Sequence, residues 1–341
     1  MIASSDESLN LMSDHGSSQA IIVRDLVKSF GDRRALDGIT LEVRRGELFC
    51  LLGPNGGGKS TLFRILATLS LADSGSAQVA GHNVVSDAAG VRARLGVVFQ
   101  SPSLDGKLTV LENLRCGGAL YGLNGSELES RIIEATKALD LSDRLNDFVE
   151  TLSGGLQRRT EIAKCLLIRP EVLLLDEPST GLDPGARLDL WAALENLRNQ
   201  HGVTALCTTH LMEEAARADR VGIVSEGKLV ALGTPDELTS AIGGDVISLG
   251  VTAGTGADHL AREITAKTGI LATVVEGEVR IEHAEAYAFA ARLAGDFPGG
   301  ISSLRIARPT LEDVFIARTG RLFADQDLEP GTTPPAKKKK H

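Results

Sequence analysis

The residues best suited to chemistry form a glycine-rich loop that fits the pattern GxxxxGK[ST]. The loop lies between an apolar run, Leu48–Leu52, and a helical pattern, which is the strand–loop–helix context that this pattern needs. Its glycines let backbone N–H groups turn toward a phosphate, its lysine adds a mobile cation and its serine offers a hydroxyl to Mg²⁺. A glycine-rich turn without a ligand is the alternative, and the context disfavours it. The sequence therefore predicts a nucleoside triphosphate site formed by Gly53, Pro54, Asn55, Gly56, Gly57, Gly58, Lys59, Ser60 and Thr61.

A second motif places two adjacent carboxylates after an apolar run. Asp176 and Glu177 follow Val172–Leu175, and the carboxyl ends of strands are where parallel α/β sheets hold their ligands. Asp176 can hold Mg²⁺, while Glu177, which points the other way, can polarise a water for attack on a γ-phosphate. An exposed acidic turn is the alternative, and it becomes less favourable once the phosphate loop is present.

These residues need a scaffold of alternating strands and helices to bring them together. The pattern turns helical between about Val110 and Leu167, and short apolar runs separated by helical patterns, such as Arg187–Asn199, follow it. Runs of this kind predict a buried parallel sheet and therefore an α/β fold. The strand-like runs are Ile21–Val23, Ile39–Val43, Ala77–Ala80, Val97–Phe99, Val172–Leu175, Thr204–Cys207 and Val221–Val224.

Composition narrows the class of protein. The 341 residues suffice for a full core and two domains of unequal size. A formal charge of -9 and a pI near 5.4 argue against a broad basic surface, so no nucleic-acid partner is expected. No apolar stretch reaches about 18 residues and the start lacks a signal-peptide pattern, so a cytoplasmic location is expected. The well-separated cysteines are expected to be reduced core residues; they are Cys50, Cys116, Cys165 and Cys207.

The segment Leu152–Arg159, with the residues LSGGLQRR, lies between the two motifs. With it, the chain resembles the ATPase subunit of an ATP-binding cassette (ABC) transporter. In that family the motifs run in the order phosphate loop, glutamine loop, LSGGQ signature, carboxylate strand, D-loop and switch histidine. All of them occur here in that order across about residues 20–240. The resemblance implies ATP as the nucleotide and Mg²⁺ as its metal.

The resemblance assigns roles to the segments between the two motifs. It implies that Gln100 senses Mg²⁺ and the membrane subunit, and that the turn Ser153, Gly154 and Gly155 addresses the γ-phosphate of ATP held by a second copy. Taken alone, Gln100 could cap a strand, and the turn could be an ordinary helix cap. A helix N-terminus does offer free N–H groups to an anion, so the implied role has a physical basis.

The resemblance also implies roles for three residues outside these segments. Asp183 in the D-loop would cross the dimer, His210 would be the switch histidine and Phe30 would stack on adenine. Phe30 could instead belong to the core, since phenylalanine is usually buried. A lone histidine is more often structural, yet at the end of a strand His210 can donate a hydrogen bond to a γ-phosphate oxygen.

One position departs from the family pattern. The signature usually has Gln directly after its two glycines, whereas here Leu156 follows and Gln157 comes next. Because Ser153 and the glycine amides remain, the γ-phosphate contact is expected to survive. Leu156 changes the polarity of the surface that would meet the neighbouring subunit.

The implied architecture requires partners. A signature that contacts ATP on another copy, with one cassette in each chain, implies a dimer closed by ATP and reopened by hydrolysis. With no spanning segment in its sequence, the chain would dock on a separate transmembrane permease. The expected contact is the groove between the Gln100 loop and the helical segment from about Ser101 to Glu150.

A change of character after Gly243 predicts a second, smaller domain with the order βαββαβ of a ferredoxin-like sandwich, followed by a helix from Thr310. The segment Arg308–Phe315 with Thr319 and Gly320 resembles the C-terminal motif of the daunorubicin-resistance type of ABC ATPase, which is associated with export of drugs, lipids or polysaccharides. An amphipathic helix packed on the small sheet is the local alternative.

These observations define one expectation for the whole chain. By its resemblance to ABC ATPases it is an α/β P-loop cassette over residues 21–243, with a mixed sheet core, an antiparallel β subdomain and a helical subdomain at about 101–167. A small α+β domain at 244–322 and disordered tails at 1–20 and 323–341 complete the expected chain. Catalysis is expected from Glu177, His210, Gln100 and Lys59, and Mg²⁺ binding from Ser60, Gln100 and Asp176. The expected function is ATP-driven export on the inner face of the membrane. The alternative is a soluble ABC ATPase that acts as a switch on ribosomes or DNA.

Overall fold

The computed structural model describes residues 18–252, 254–321 and 323. The tail predicted at 1–20 lies outside this part up to residue 17, and the first strand begins at Gln19, ahead of the predicted start at Ile21. The tail predicted at 323–341, which includes the lysines at 337–340, lies outside it except for Phe323. That residue is buried against Phe315, with ring centroids 5.0 Å apart, so the second tail was predicted to begin too early.

Strands and helices alternate along the chain, as predicted. The first elements are β1 (Gln19–Phe30), β2 (Arg33–Arg44), β3 (Leu48–Leu52), α1 (Lys59–Leu66), β4 (Ser74–Val79), β5 (His82–Asn83), α2 (Ala88–Arg92) and β6 (Leu95–Val98). The next are α3 (Val110–Leu120), α4 (Gly125–Ala138), α5 (Gly154–Leu166), β7 (Val172–Asp176), α6 (Pro184–His201), β8 (Thr204–Thr209), α7 (Met212–Ala215), β9 (Arg220–Ser225), β10 (Lys228–Gly233) and α8 (Pro235–Ser240). The last are β11 (Asp245–Val251), α9 (Ala257–Thr268), β12 (Ala272–Val275), β13 (Glu278–His283), α10 (Ala286–Asp296), β14 (Ile301–Ala307) and α11 (Leu311–Thr319).

The central sheet has the strand order β10-β9-β3-β8-β7-β6. Its neighbours are parallel except for β10, which pairs antiparallel with β9 at the edge. The buried parallel sheet predicted from the apolar runs is thus confirmed for its centre, and the antiparallel strand at its edge makes the sheet mixed, as the family resemblance implied. Strands β3, β7 and β8 all run in the same direction, so their carboxyl ends meet at one edge of the sheet.

The central strands are apolar along their whole length because they are buried on both faces. On β3, Leu48 and Leu52 point into the core shared with the helices, while Phe49 and Leu51 point into the core shared with a second sheet. That second sheet has the order β2-β1-β4-β5 and is antiparallel throughout. The phosphate loop therefore begins on a strand that two cores hold in place.

The predicted helical segment consists of α3, α4 and α5 on one side of the central sheet. Helix α3 begins with a capping box, in which Thr109 and Glu112 satisfy each other's backbone N–H groups. Helix α5 begins at the signature, where Ser153 is the N-cap. Their apolar faces join the core that contains Leu48 and Leu52.

The C-terminal elements have the order βαββαβ followed by a helix. Their sheet has the order β12-β13-β11-β14 with every neighbouring pair antiparallel, which is the arrangement of a ferredoxin-like fold. Helix α11 packs Val314 and Phe315 into the core of the cassette, and buried Asp313 at its start pairs with Arg280 on β13 at 2.7 Å. The last helix therefore joins the C-terminal sheet to the cassette.

Two details differ from the sequence prediction. Cys116 is exposed on α3 rather than in the core, whereas Cys50 and Cys207 are buried, and all the cysteines in the described residues are free. Helix α6 begins at Pro184, earlier than the predicted Arg187, because Asp183 caps it. Among the described residues, none of the helices combines the length and apolar character needed to cross a bilayer.

Candidate nucleotide site

The phosphate loop, Gly53–Thr61, leaves β3 and turns directly into α1. Gly53 donates its N–H to the carbonyl of Thr209 at 3.2 Å, which ties the start of the loop to the end of β8. A Cβ at Gly53 would lie 2.5 Å from the carbonyl oxygen of Val224, and one at Gly58, which has φ 107°, would lie 2.6 Å from that of Ala35. Only glycine fits such positions, so the tight cradle explains these two residues.

Lys59 is the cation of this loop. Its side chain is 4% exposed and its Nζ donates to the carbonyls of Gly53 at 2.6 Å and Pro54 at 3.1 Å. The same Nζ lies 3.7 Å from Oε1 of Glu177. The lysine thus stands between the loop and the carboxylates, where it can meet a phosphate charge.

The two carboxylates share one organiser, Thr208 on β8. The Thr208 hydroxyl donates to Oδ1 of Asp176 at 2.6 Å and accepts the N–H of Glu177 at 2.9 Å. Burial raises the pKa of Asp176, and the neighbouring Glu177 charge adds to the rise, while the Thr208 hydrogen bond opposes it. A cation near Asp176 would offset this burial cost, which fits the predicted Mg²⁺ role.

Glu177 has an unusual backbone. Its φ of 45° lies in the left-handed region, where a non-glycine residue stores strain of roughly 1–3 kcal/mol and which is common at functional sites. The turn directs the carboxylate of Glu177 toward Lys59 of the phosphate loop. The hydroxyl of Thr180, three residues further on, donates a hydrogen bond to Oε2 of Glu177 at 3.1 Å. The side chain is 11% exposed, so it is shielded but still reachable.

His210 follows β8 and faces the same carboxylate. Its Nδ1 lies 3.3 Å from Oε2 of Glu177, yet this buried atom makes no hydrogen bond among the described residues. A buried polar atom without a partner is costly. Its place beside Glu177 therefore fits a ligand group such as a phosphate oxygen.

The loop and Glu177 line a cleft of about 380 Å³. Phe30 stands at one side of it and is 57% exposed, so it is not a core residue and its ring is free to stack on a base. No group of three or more His, Cys, Asp or Glu side chains in the described residues could hold a metal alone. Binding of Mg²⁺ by Ser60, Gln100 and Asp176 therefore stays a prediction. The lining residues are Phe30, Arg33, Ala35, Pro54, Asn55, Gly56, Gly58, Lys59, Ser60, Thr61 and Glu177.

Gln100 lies just beyond β6 with its side chain exposed. Its backbone carbonyl accepts a hydrogen bond from Arg158 at 3.0 Å. The structure thus places Gln100 on the segment that leaves the central sheet for the helices, and not in the lining of the cleft. Of the predicted catalytic set, Lys59, Glu177 and His210 come together, and Gln100 stands apart from them.

The signature turn, Ser153 with Gly154 and Gly155, begins α5 on another part of the surface. Ser153 is exposed, and its hydroxyl accepts the N–H of Leu156 at 3.4 Å. A Cβ at Gly155 would lie 2.9 Å from the Cβ of Ala186 on α6, so this glycine permits close packing of two helix starts. The turn does not contribute to the cleft of its own chain.

The residues around the signature turn also have structural roles. Asp183 caps α6 by accepting the N–H of Ala186 at 2.9 Å. Leu156, the departure from the family pattern, packs against the helical core. Gln157 turns inward and donates to the carbonyls of Val149 at 3.0 Å and Leu152 at 3.1 Å.

Sequence reasoning missed Glu214, which joins two parts of the site. This carboxylate is 2% exposed. It accepts hydrogen bonds from Ser179, next to the carboxylate motif, and from Thr209 at 2.5 Å, next to His210. A glutamate early in a short helix gives no signal of such long-range contacts, so only the fold reveals it.

Comparisons with known proteins agree with this geometry. The family model for ABC transporters matches residues 36–180. The chain is 38% identical to the daunorubicin resistance ATP-binding protein DrrA3 of Streptomyces coeruleorubidus, over 88% of this chain and 96% of that protein. It is 35% identical to the linearmycin resistance ATP-binding protein LnrL of Bacillus subtilis (strain 168), over 88% of this chain and 98% of that protein.

Solved structures give the same class. One is cbiO1 from Clostridium perfringens, part of an ABC transporter complex, with a TM-score of 0.62, 26% identity and coverage of 74% of this chain and 96% of that one. Another is a dimeric post-hydrolysis state of an ATP-binding cassette with ADP and Pi, with a TM-score of 0.56, 26% identity and coverage of 63% and 98%.

The fold and the site thus define an ABC ATPase cassette, which binds ATP with Mg²⁺ and hydrolyses ATP. Within that class, the chain belongs to the ATP-binding subunits of ABC transporters of the daunorubicin-resistance type.

Proposed function

We propose that this chain powers an exporter by hydrolysing ATP between two copies of itself, docked on a separate transmembrane permease. The observation that carries the proposal is the convergence on Glu177, which lies 3.7 Å from Nζ of Lys59 and 3.3 Å from Nδ1 of His210 at the edge of the phosphate-loop cleft. The names of its relatives, which include daunorubicin resistance, linearmycin resistance and Nod factor export, support transport.

Glu177 is the proposed general base. Its carboxylate takes a proton from water as the water oxygen forms a bond to the γ-phosphorus and the bond to the bridging oxygen of ADP breaks. Lys59 and His210 stabilise charge on the γ-phosphate oxygens. Ser60, Asp176 and Gln100 are the proposed holders of Mg²⁺, which when bound neutralises phosphate charge, and Phe30 stacks on adenine.

The second half of each site comes from another copy. Ser153, Gly154 and Gly155 form a helix N-terminus at which Ser153 and Gly154 are exposed and Gly155 is buried, and such an end binds anions through free N–H groups. Asp183 lies on the same surface, at the start of α6. ATP therefore joins the two copies, and loss of its γ-phosphate separates them.

The permease is proposed to dock between the Gln100 loop and the helical segment. Apolar side chains on these segments are exposed, among them Phe99, Leu120, Tyr121 and Phe148, and exposed apolar groups of this kind favour a protein contact. The chain would then work on the inner, cytoplasmic face of the membrane. The cargo is proposed to be a drug, a lipid or a polysaccharide.

Residues 244–322 are proposed to be an accessory domain attached to this cassette through α11. No finding favours the alternative of a soluble switch on ribosomes or DNA, since the relatives named above are resistance and export proteins.

The test is to add tagged Glu177→Gln protein to native membranes with ATP and Mg²⁺, solubilise gently and identify bound proteins by mass spectrometry. A multi-span protein recovered in stoichiometric amount supports the proposal. Lys59→Ala is the control bait, because it should not hold the ATP-bound state. Recovery of ribosomal or DNA-repair components, with none of the bait on membranes, would overturn the proposal.

A further inference from the structure

Two charged side chains lie buried on α5, one turn beyond the signature turn. Arg158 is 6% exposed and Glu161 is 3% exposed, and they pair with each other at 2.6 Å. Burying two charges is unfavourable unless further hydrogen bonds satisfy them, and an apolar pair of similar size often stabilises a core better. The further groups that hydrogen-bond to Arg158 and Glu161 therefore indicate the role of this ion pair.

Those partners lie on one short segment, residues 99–103, which carries Gln100. Arg158 donates to the carbonyl of Phe99 at 2.7 Å and to that of Gln100 at 3.0 Å. Glu161 accepts the N–H of Ser103 at 2.5 Å. Both side chains thus bond to the backbone of a segment that lies far from them in the sequence.

The segment has little other means of being held. It follows β6 without continuing as a strand, and the next helix, α3, begins only at Val110. The side chain of Gln100 is exposed, so it does not anchor the segment, whereas partly exposed Phe99 keeps one ring contact, with Phe63 at 5.8 Å between centroids. Lys164, also on α5, adds a bond to the carbonyl of Ser103 at 2.8 Å. One helix therefore fixes the backbone on both sides of Gln100.

We infer that Arg158 and Glu161 are positioning residues that fix the Gln100 segment to the signature helix. Helix α5 then carries Ser153 at its start and holds Gln100 one turn later, so the two groups move as one body. This inference rests on the proposed roles of Gln100 and Ser153. It predicts that disturbing the pair acts on hydrolysis through Gln100, and not through the phosphate loop.

A double-mutant cycle tests this inference in the full chain. Gln100→Ala and Arg158→Met are each expected to lower kcat by roughly 10–100-fold, because misplacement of about 1 Å can have such an effect. The affinity for ATP measured without Mg²⁺ should stay unchanged, since the phosphate loop is untouched. The double variant should lie within about twofold of Gln100→Ala, because both changes remove one function. If the losses of kcat in the two single variants multiply in the double variant, the inference is wrong.

The matched control is the neighbouring arginine. Arg159 also lies on α5, but its contacts are with the exposed carboxylates of Asp189 at 3.3 Å and Asp140 at 4.0 Å. Arg159→Met should combine with Gln100→Ala by simple multiplication, with little effect of its own. If Arg159→Met instead fails to add to Gln100→Ala as Arg158→Met does, the specific role of Arg158 is wrong.

Two further variants separate positioning from folding. Arg158→Lys keeps a charge beside Glu161 but cannot serve two carbonyls with a planar fork, so it should restore thermal stability without restoring kcat. Should Arg158→Met not fold, Glu161→Gln replaces it in the cycle. Normal kcat in Arg158→Lys would contradict the inference. Normal kcat in Gln100→Ala would overturn the proposed role of Gln100 and this inference together, whereas independent effects would overturn this inference alone.

Discussion

The phosphate-loop cleft and the signature turn are both proposed anion sites, but they differ in how completely this chain builds them. In the cleft, Lys59 and Glu177 are largely shielded, and Asp176 is held by a hydrogen bond from Thr208. At the signature turn, Ser153 is exposed and its hydroxyl accepts one long hydrogen bond, 3.4 Å, from the N–H of Leu156 on its own helix. The cleft brings its own charges together, whereas the turn offers a free helix end and little else.

This difference indicates which part of the proposed ATP site lies within one chain and which part comes from a second copy. A cleft with a strained glutamate that lies 3.7 Å from Nζ of Lys59 and 3.3 Å from Nδ1 of His210 is suited to a phosphate held within one chain. An exposed N-cap with two following glycines is suited to meet an anion that arrives on another surface.

The largest effect is expected from Glu177→Gln. Loss of the general base should lower kcat by about 10²–10⁴-fold, while ATP binding persists because the phosphate loop is intact. The variant should then accumulate as an ATP-bound dimer. Steady-state hydrolysis and sedimentation in ATP and Mg²⁺ measure both properties. Ordinary turnover in this variant would show that Glu177 is not the base.

Lys59→Ala should impair the binding of ATP in the cleft, and hydrolysis with it. Without this cation, the β- and γ-phosphates lose a direct partner, so both affinity for ATP and hydrolysis should fall by roughly two powers of ten or more. Titration with a fluorescent ATP analogue measures the loss. Lys107→Ala is the control, because Lys107 is 80% exposed in a surface ion pair with Glu150 and should behave like the wild type.

Ser153→Asp breaks the signature turn without breaking the helix. Aspartate is as good an N-cap as serine, so α5 should remain stable, but its negative charge would repel a γ-phosphate. The expected result is a fall in kcat of roughly 10–100-fold with unchanged binding of ATP to the monomer. Ser153→Asn keeps the cap without the charge and should stay near the wild type. Equal behaviour of the two variants would argue against an anion at this turn.

Asp176→Asn is expected to change the thermal stability of the fold only slightly, and the pH dependence of that change tests the burial of Asp176. Because the pKa of Asp176 is raised above 3.8 by burial, its charged form destabilises the fold. The stability gained from the neutral form is fully present below 3.8 and is lost as pH rises through the folded pKa.

At neutral pH the neutral amide should therefore raise Tm by about 1–3 °C, while Mg²⁺-dependent hydrolysis falls. Thermal melts at decreasing pH check the sign, because the difference from the wild type should shrink toward the ordinary carboxyl pKa. A lower Tm at neutral pH would contradict the assigned burial cost.

The sequence predicted the positions of candidate site residues correctly where those residues are neighbours along the chain. The phosphate loop and the Asp176–Glu177 pair each follow an apolar strand, and parallel strands bring such ends to one edge. The same logic placed His210 correctly at the end of β8. These motifs can be predicted because their residue types, their spacing and their secondary structure agree within a short window.

Sequence reasoning failed where function depends on distant partners. Thr208 organises Asp176 and Glu177 from another strand, and Arg158 holds the backbone of Gln100 from another helix. A threonine in a strand and an arginine in a helix carry no signal of such contacts. Cys116 was misassigned for a related reason, since the wide spacing of the cysteines in the sequence does not tell which face of a helix is buried.

In the proposed dimer, each chain contributes the phosphate-loop half of one ATP site and the signature half of the other. Mixing two inactive variants tests this arrangement. Glu177→Gln lacks a base but has an intact signature turn, whereas Ser153→Asp lacks the turn but keeps Glu177. A mixed dimer contains one site built from the intact Glu177 of one chain and the intact Ser153 of the other. The account predicts that the mixture hydrolyses ATP faster than either variant alone. A mixture no faster than the average of its two components would contradict it.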